Sequence, residues 1–449
     1  MKQHYHFIGI GGIGMSGLAN MLLEQNYPIS GSDISSSTVV EELVKSGAHV
    51  TIGHHAENVR SGMIVVFTSD IRKDNPEYLQ AKKLGCILWH RSDLLAKLME
   101  NQKSVAIAGT HGKTTTTSLL SSVLIEAGWD PTIAVGGILP QYGCHSKSGQ
   151  GDYFVFEADE SDQTFLKYHP YGAIVTNIDN DHLNNYQGDE QLLIDAFNQF
   201  MSQVTSHEHL FWCADNLHLA KLNVPGQCYG FSDASKWKIT NARQVGFHSC
   251  FDLIQGKSIY KDIEMTLIGR HNALNGAAVF GLSLTLGVPE KDIRHALKSF
   301  KGVLRRCEMK GERNGILFID DYAHHPTEIE TTLNGIREAI ANKRMVVVFQ
   351  PHRYTRTKDC LGQYGSIFDV ADQLIVTDIY GSNEEPVAGL HAGLIVDEVK
   401  AASRIPCTYV ARKELSQKLN MLIKPQDVVI TLGAGDVTKV AAEILALDK

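Results

Sequence analysis

The stretch "SVAIAGTHGKTTTT", Ser104 to Thr117, joins an apolar run to a glycine-rich loop and then to a helical pattern. In such a strand-loop-helix unit, backbone N–H groups can surround phosphate oxygens. The first glycine of the common nucleotide-binding pattern would fall at position 107, where this chain has Ile107. The chemistry survives this difference, because a lysine can neutralise phosphate charge and a threonine hydroxyl can bind Mg²⁺. We therefore predict nucleotide phosphate binding by Gly109, Thr110, His111, Gly112, Lys113, Thr114 and Thr115.

A second glycine-rich loop, "FIGIGGIGMSG" from Phe7 to Gly17, comes about a hundred residues earlier and also follows an apolar strand. Its spacing, Gly9-x-Gly11-x-x-Gly14, is typical of dinucleotide sites, and Asp33 ends the next strand, where a carboxylate could reach a ribose hydroxyl. Taken alone, this fingerprint leaves open a dinucleotide such as NAD and a purely structural glycine turn. Two loops in one chain suggest two different phosphate-bearing ligands.

The 449 residues exceed what one compact core accommodates, so several domains are expected. Strand-like and helix-like segments alternate along most of the chain, which predicts an α/β fold with parallel sheets. We predict three domains: a Rossmann-like domain at 1–102, a central domain at 103–301 with a parallel sheet like that of P-loop ATPases, and a Rossmann-like domain at 302–449.

Charge and composition restrict the class of protein. With 42 basic and 50 acidic residues the net charge is −8, which disfavours a general nucleic-acid or anionic-membrane surface. The eight cysteines are scattered without a C-x-x-C pair, as expected for reduced thiols in a cytosolic protein. The first residues resemble a strand rather than a secretion signal, and no apolar run reaches the roughly 18 residues of a membrane span. We expect a cytoplasmic protein.

Acidic side chains follow two apolar runs after the second loop. "FEADESD" contains Glu157, and "TNIDNDHLN" ends with His182 in a cluster of amides and carboxylates. Open α/β sheets place their ligands at the ends of such strands, and carboxylate oxygens suit Mg²⁺. A charged surface loop would explain either cluster alone, whereas both together beside a phosphate loop favour a Mg-ATP site.

Three further motifs carry candidate binding groups. "GRHNALNGAA" starts a helix with His271 and Asn272, a pair that predicts recognition of a base. "IDDYAHHPTEI" contains Asp321, and "FQPHRYTRT" contains His352 and Arg353. Histidine and arginine at strand ends suit a substrate carboxylate or a charged phosphoryl transition state. A metal site built from these histidines is a second interpretation, although their spacing matches no recognisable ligand pattern.

The ordered series of these motifs resembles the Mur ligases of bacterial cell-wall synthesis over essentially the whole chain. The shared motifs are "GIGGIGMSG", "GTHGKTTTT", "EADESD", "TNIDNDH", "GRHNALN", "RRCEMKG", "DDYAHHPTE", "FQPHRYTRT" and "GAGD". The resemblance implies that the first loop holds the UDP part of a sugar nucleotide, not NAD, and that the second loop holds ATP.

The resemblance also implies residue roles. It assigns the sugar nucleotide to Gly11, Gly12, Ile13, Gly14, Ser16, Asp33, Ser69, His90 and Arg91. It adds His271, Asn272 and Asp321 to the ATP site and gives Thr114, Glu157 and His182 to Mg²⁺. The implied catalytic residues are Lys113, Glu157, His182, His352 and Arg353.

Within the family, the motifs are most similar to the alanine-adding branch. The implied reaction joins L-alanine to the lactyl carboxylate of UDP-N-acetylmuramate through an acyl phosphate, in a monomer or weak homodimer. Three alternatives stay open: a ligase that attaches a recycled L-Ala-γ-D-Glu-diaminopimelate tripeptide, an NAD-dependent oxidoreductase, and an ATP-binding regulator without chemistry. Ser161 within "EADESD" resembles the alanine-adding pattern more closely than the recycling one.

Overall fold

The computed structural model describes residues 2–181, 183–382 and 384–446, apart from the side chains of Cys144 and Asn184. These residues fall into two compact units. The first unit comprises described residues within Met1–Thr240, Asp252–Ile263 and Leu274–Lys301, and the second those within Asn241–Phe251, Glu264–Ala273 and Gly302–Lys449.

The first unit begins with a five-stranded parallel sheet of order β3-β2-β1-β4-β5. Its central strand, "YHFI", is buried throughout, as expected for a parallel strand covered on both faces. In chain order its elements are β1 (Tyr5–Ile8), α1 (Ile13–Glu24), β2 (Ile29–Asp33), α2 (Thr38–Lys45), β3 (His49–Ile52), β4 (Ile64–Phe67), α3 (Pro76–Lys83), β5 (Ile87–His90) and α4 (Arg91–Met99).

A second sheet of ten strands follows. Its elements are β6 (Lys103–Ala108), α5 (Lys113–Glu126), β7 (Thr132–Leu139), β8 (Cys144–Lys147), β9 (Tyr153–Glu157), β10 (Gly172–Val175), α6 (Glu190–Ser202), β11 (Leu210–Cys213), α7 (Leu217–Lys221), β12 (Gln227–Gly230), β13 (Trp237–Val245), β14 (His248–Gln255), β15 (Ser258–Met265), α8 (Arg270–Leu286) and α9 (Glu290–Ser299). The order is β15-β14-β13-β12-β11-β10-β6-β9-β7-β8, with β6 parallel to both neighbours. The glycine-rich loop that follows β6 therefore begins between the ends of strands β9 and β10.

Helix α5 is buried over most of its length despite its many hydroxyl side chains. Thr117 Oγ1 donates to the carbonyl of Lys113 at 2.8 Å, and Ser121 Oγ donates to the carbonyl of Thr117 at 2.7 Å. Bonds to the preceding turn satisfy these hydroxyls, so small polar side chains can pack in the interior. This accounts for the burial of Thr117 and Ser121.

The second unit contains a six-stranded sheet of order β16-β17-β21-β18-β19-β20, in which only the β16–β17 pair is antiparallel. Apolar clusters cover both faces, with Val347 on one and Val346 and Val348 on the other. The elements are β16 (Glu308–Arg313), β17 (Ile316–Asp321), α10 (Pro326–Ile340), β18 (Met345–Phe349), α11 (Tyr354–Asp359), β19 (Gln373–Val376), α12 (Gly393–Ala402), β20 (Cys407–Tyr409), α13 (Arg412–Leu422), β21 (Val428–Leu432) and α14 (Lys439–Leu445).

The predicted α/β fold class, with largely parallel sheets, is confirmed by these three sheets. Both glycine-rich loops connect a buried parallel strand to a helix, β1 to α1 and β6 to α5. Within the described part of the chain, no helix is both long enough and apolar enough to cross a membrane.

Candidate active site

The first glycine-rich loop is anchored on the end of the neighbouring strand β2. The amides of Gly9 and Ile10 both donate to the carbonyl of Ser32, at 2.8 and 2.9 Å. The amide of Gly11 donates to Asp33 Oδ2 at 2.8 Å, and a Cβ at Gly11 would lie only 2.9 Å from that oxygen. The amide of Gly12 donates to the carbonyl of Gly9 at 3.3 Å. Four amides of the loop are thus used internally, and Asp33 holds the loop at Gly11.

The amides left to bind a ligand belong to the start of α1. Gly12 is its N-cap, and the predicted residues Ile13 and Gly14 form its first turn. First-turn amides have no partner within a helix, and the positive end of the helix dipole favours an anion there. Ser16, one turn on, is buried and lies 3.0 Å from His145 Nε2 of strand β8.

The other predicted sugar-nucleotide residues meet the "EADESD" segment, which lies in the same unit. Ser69 Oγ donates to Asp162 Oδ2 at 2.8 Å and lies 3.1 Å from His90 Nε2. Arg91 Nη2 donates to Asp159 Oδ2 at 3.0 Å. Burial lowers the pKa of His90, although Asp162 opposes the change. The sequence predicted Ser69, His90 and Arg91 as binding residues. It placed Asp159 and Asp162 in the acidic cluster of "FEADESD" without predicting these contacts.

The second glycine-rich loop follows β6 and is held by the end of β10. Gly109 has φ +133°, and a Cβ there would lie 2.0 Å from Thr176 Oγ1. Thr176 Oγ1 donates to the carbonyl of His111 at 2.6 Å, and the amide of His111 donates to Asn177 Oδ1 at 2.9 Å. Gly112, at φ +83°, then caps α5. Glycine is required at position 109 because neither the backbone angle nor the space admits a side chain.

Two further loop residues face Asp179, beyond the end of β10. His111 Nε2 lies 2.9 Å from Asp179 Oδ2, and Thr110 Oγ1 accepts from the amide of Asp179 at 2.9 Å. Sequence reasoning placed Asp179 in an acidic cluster without assigning it a role; its position after an apolar run was the available signal. The predicted catalytic and metal residue His182 lies outside the described residues.

Lys113, the central residue of the motif, is folded back onto its own loop. Its Nζ donates to the carbonyl of Gly109 at 2.6 Å and to both carboxylate oxygens of Glu160, at 2.7 and 3.0 Å. Burial raises the pKa of Glu160, and the Lys113 ammonium opposes that rise. Burial also favours the neutral form of Asp159, but Lys113 and Arg91 outweigh it and hold its pKa at about 2. The sequence placed Glu160 among the strand-end carboxylates of "FEADESD" as a possible Mg²⁺ ligand, but it did not predict the ion pair with Lys113.

A hydroxyl and a carboxylate meet beside this lysine. Thr114 Oγ1 donates to Glu157 Oε2 at 3.3 Å, and the amide of Gly136 donates to Glu157 Oε1 at 2.6 Å. Thr115 follows in the first turn of α5 and is buried. The predicted pair Thr114 and Glu157 is therefore brought together at the N-terminus of α5.

The second unit holds the remaining predicted residues. His271 Nδ1 is buried and has no hydrogen-bond partner among the described residues. Burial, with a smaller contribution from Arg306, lowers the pKa of His271 to about 4. Asn272 Nδ2 donates to the carbonyl of Ile268 at 2.8 Å. His271 is therefore a neutral ring with an unsatisfied nitrogen, which suits a hydrogen bond to an uncharged heterocycle.

Asp321 is buried at the end of β17, where its carboxylate accepts two backbone amides. These come from Cys307, at 2.7 Å to Oδ2, and from Ala323, at 2.8 Å to Oδ1. Burial raises the pKa of Asp321, against the opposing charge of Arg306. These contacts give Asp321 a bracing role, and the predicted contact with ATP stays a prediction.

Arg305 is a residue that sequence reasoning missed. Its guanidinium donates to the carbonyls of Gly433, Ala434 and Gly435 and lies over the ring of Tyr322. It thereby fixes the glycine turn after β21. The available signal was the arginine pair that opens "RRCEMKG".

His352 and Arg353 follow β18, as predicted. The His352 ring stacks on Tyr380 with centroids 5.8 Å apart and meets the edge of His324 at 5.9 Å. Burial, assisted by neighbouring His324, lowers the pKa of His352 to about 3. Arg353 has φ +67° and places Nε 3.6 Å from Glu384 Oε1. A neutral histidine and a partly exposed arginine thus lie side by side.

Comparisons with known proteins cover nearly the whole chain. Three family models match: "Mur ligase family, catalytic domain" at residues 4–103, "Mur ligase middle domain" at 107–283 and "Mur ligase, glutamate ligase domain" at 305–435. The chain is 57% identical over 447 residues to a UDP-N-acetylmuramate–L-alanine ligase of Protochlamydia amoebophila, covering 100% of this chain and 98% of that protein. It is 42% identical to the ligase of that name from Anaeromyxobacter dehalogenans strain 2CP-C, with 98% and 97% covered.

The fold is also similar to that of a solved structure. The crystal structure of the UDP-N-acetylmuramate-alanine ligase MurC from Thermotoga maritima aligns with a TM-score of 0.85 and 27% identity, covering 98% of each chain. Full-length identity, three matching domain models and this structural likeness lead to one conclusion: the chain belongs to the Mur ligase family.

Proposed function

We propose that the protein joins L-alanine to the lactyl carboxylate of UDP-N-acetylmuramate at the expense of ATP, in cell-wall precursor synthesis. The carrying observation is the phosphate loop from Gly109 to Thr115, with its lysine and carboxylates, in a chain 57% identical to a ligase of that name. The same full-length similarity favours this function over tripeptide recycling and over an oxidoreductase.

In the proposed reaction the terminal phosphoryl group of ATP passes to a carboxylate oxygen of the sugar nucleotide, which gives an acyl phosphate and ADP. The amine of L-alanine then attacks the acyl carbon and loses a proton. Inorganic phosphate leaves from the tetrahedral intermediate, and an amide remains. Such chemistry depends on positioning and on neutralising phosphate charge more than on a side-chain nucleophile.

Lys113 supplies the charge that the phosphates require. Its three donors are engaged by loop carbonyls and Glu160, so an incoming phosphate replaces contacts of the same kind and needs no new cation. The amides around Gly112, at the start of α5, would bind the same phosphates. Thr114 and Glu157, which offer hard oxygen atoms 3.3 Å apart, fit Mg²⁺ and would hold it. Mg²⁺, when bound, adds charge neutralisation at the phosphates.

For the other substrates we propose separate residues. The start of α1 binds the diphosphate of the sugar nucleotide, with Ser69, His90 and Arg91 on its sugar side. In the second unit, His271 and Asn272 bind the adenine base. His352 and Arg353 face the amino acid or the acyl phosphate; the low pKa of His352 leaves it neutral at pH 7, so it would not repel the incoming amine as a second cation. We propose that the enzyme works in the cytoplasm, where ATP is supplied, as a monomer or weak homodimer.

The test is phosphate release from Mg-ATP with UDP-N-acetylmuramate and one of three additions: no amine, L-alanine, or the L-Ala-γ-D-Glu-diaminopimelate tripeptide. We expect release only with L-alanine, together with a product heavier by one alanyl residue. Release only with the tripeptide would assign the protein to recycling. If phosphate is released neither with L-alanine nor with the tripeptide, the ligase proposal is overturned. Oxidation of NADH by the protein would instead support the oxidoreductase alternative.

A further inference from the structure

A fully buried carboxylate lies under the first glycine-rich loop and outside every role assigned above. Glu77, in the first turn of α3, has a side chain with no exposed surface. Its Oε2 accepts from Ser32 Oγ at 2.5 Å, and its Oε1 accepts from Asn58 Nδ2 at 2.6 Å and from the amide of His55 at 3.2 Å. An unpaired carboxylate in such a place would be strongly destabilising, so this set of donors is what keeps it ionised.

The ionisation state of Glu77 follows from these contacts. Burial alone raises the pKa of Glu77, but hydrogen bonds from His6, Ser32 and Asn58 outweigh it and bring the pKa to about 2. An ionised carboxylate can only accept hydrogen bonds, so Ser32 Oγ must donate to it. Ser32 then accepts from His54 Nδ1, 2.8 Å away. The hydroxyl of Ser32 therefore has one orientation.

Ser32 connects this carboxylate to the loop. Its carbonyl accepts the amides of Gly9 and Ile10, and the next residue, Asp33, accepts the amide of Gly11. The three amides that set the course of the loop thus rest on residues 32 and 33. The side chain of Ser32, in turn, rests on Glu77.

We propose that Glu77 is a positioning residue for sugar-nucleotide binding: through Ser32 it holds the glycine-rich loop in the shape that presents the first-turn amides of α1 to the diphosphate. The inference depends on the proposed function, which places the sugar nucleotide at this loop. A buried charge that only stabilised the fold would change the free energy of unfolding when replaced, because the donors of Ser32, Asn58 and His55 would lose their acceptor, but it would leave ligand affinity unchanged. A charge that fixes one hydrogen-bond orientation beneath a binding loop affects ligand affinity as well.

Strand β2 offers a matched pair of variants. Ser30 and Ser32 are two residues apart, so their side chains share one face of the strand, and both are buried. Ser30 Oγ contacts the ring nitrogens of His4 and His6, both at 2.9 Å, and reaches Glu77 indirectly, through His6 Nε2 at 3.4 Å from Oε2. Ser32 Oγ contacts Glu77 directly, and the Ser32 carbonyl accepts the loop amides. Changing either serine to alanine removes one buried hydroxyl, but only Ser32→Ala disconnects the carboxylate from the loop.

The experiment measures dissociation constants for UDP-N-acetylmuramate and for ATP by calorimetry, and kinetic constants by phosphate release. We expect Ser32→Ala to weaken binding of UDP-N-acetylmuramate about tenfold, the scale of one hydrogen bond to a charged group. Its ATP affinity and kcat should stay within about twofold of the wild type. Ser30→Ala should leave all these constants within the same range, although both variants lower the thermal midpoint.

Glu77→Gln provides the second variant, because an amide has nearly the same shape but aims N–H donors where the carboxylate only accepts. We expect the same selective rise in KM for UDP-N-acetylmuramate. Equal effects of Ser30→Ala and Ser32→Ala, or no effect of Ser32→Ala and Glu77→Gln, would overturn the role of Glu77 while leaving the proposed function intact. If the wild type itself does not bind UDP-N-acetylmuramate, or if Ser32→Ala weakens ATP instead, the assignment of this loop fails and the inference fails with it.

Discussion

Replacing Lys113 with methionine separates the structural and the chemical roles of the phosphate loop. The side chain of Glu160 is 2% exposed and that of Lys113 is 16% exposed, with Nζ 2.7 Å from the nearer carboxylate oxygen. Removing one partner of a buried ion pair typically costs about 3–5 kcal/mol, because the other charge stays buried. We expect about 3 kcal/mol for Lys113→Met, the lower end of that range, since Lys113 is the less buried partner.

The reverse change should cost less. In Glu160→Gln, Lys113 keeps the carbonyls of Gly109 and Thr110 and some solvent, so we expect a loss of about 1–2 kcal/mol. The double variant should be more stable than the sum of the single losses predicts, by about 2 kcal/mol, because neither charge is then left alone.

The dependence of this loss on pH has a definite sign. Burial raises the pKa of Glu160 above its ordinary value of 4.5, and removing Lys113 takes away the main opposing charge. The folded variant then binds a proton more tightly than the unfolded chain does. In Lys113→Met, the stability that protonated Glu160 contributes is therefore fully present below pH 4.5. It is lost as the pH rises toward the pKa of Glu160 in the folded variant, so the variant becomes less stable by about 1.4 kcal/mol per pH unit in that range.

Urea unfolding of the wild type, both single variants and the double variant at pH 5, 6, 7 and 8 measures all of these quantities. A coupling energy below about 0.5 kcal/mol would show that the two groups do not interact as the distances indicate. A loss in Lys113→Met that does not change with pH would refute the argument that Glu160 is left as an uncompensated buried acid. Phosphate release should fall at least about a hundredfold in the same variant.

Gly109→Ala should weaken ATP binding at least about tenfold, because its Cβ would lie 2.0 Å from Thr176 Oγ1. Gly128→Ala, also at positive φ but with no described atom within 4 Å of its Cβ, should cost only about 1 kcal/mol of stability. Equal ATP affinities in the two variants would contradict the steric argument. The pKa of His271 falls to about 4 in the folded protein, so the stability that neutral His271 contributes is complete above pH 6.5 and is lost as the pH drops toward 4. In this pH range the unfolding free energy of His271→Gln should therefore change less with pH than that of the wild type, by up to about 1.4 kcal/mol per pH unit. Identical slopes for wild type and variant would disprove this linkage. Arg305→Lys should lower the free energy of unfolding by about 1–3 kcal/mol in thermal unfolding, because one ammonium cannot reach the three carbonyls from Gly433 to Gly435. An unchanged thermal midpoint would show that the Arg305 guanidinium does not stabilise this turn.

Much of the fold could be predicted from local patterns. The apolar run before Gly109 and the helical run after Lys113 became β6 and α5, and the run before Gly9 became the central strand of the first sheet. Strand periodicity and glycine position are properties of neighbouring residues, so one sequence suffices to reveal them. The same holds for Thr114 and Glu157, because the ends of adjacent parallel strands meet at one edge of a sheet.

Partnerships between distant residues could not be predicted in this way. Ser69 meets Asp162, which lies 93 residues further along the chain, and Arg305 meets the turn at Gly433, 128 residues away. No local pattern marks Glu77 as buried either, since an acidic residue at a helix start is ordinarily solvated.

The sequence by itself thus determined the strand-loop-helix units, the two phosphate loops and the residue types available at each strand end. Tertiary structure alone decided which charges face one another, that Lys113 rests on Glu160, that Asp33 braces Gly11, and that Glu77 is ionised beneath Ser32. The physical reason is that backbone conformation depends on near neighbours, whereas the protonation and orientation of a buried side chain depend on whatever the fold packs against it.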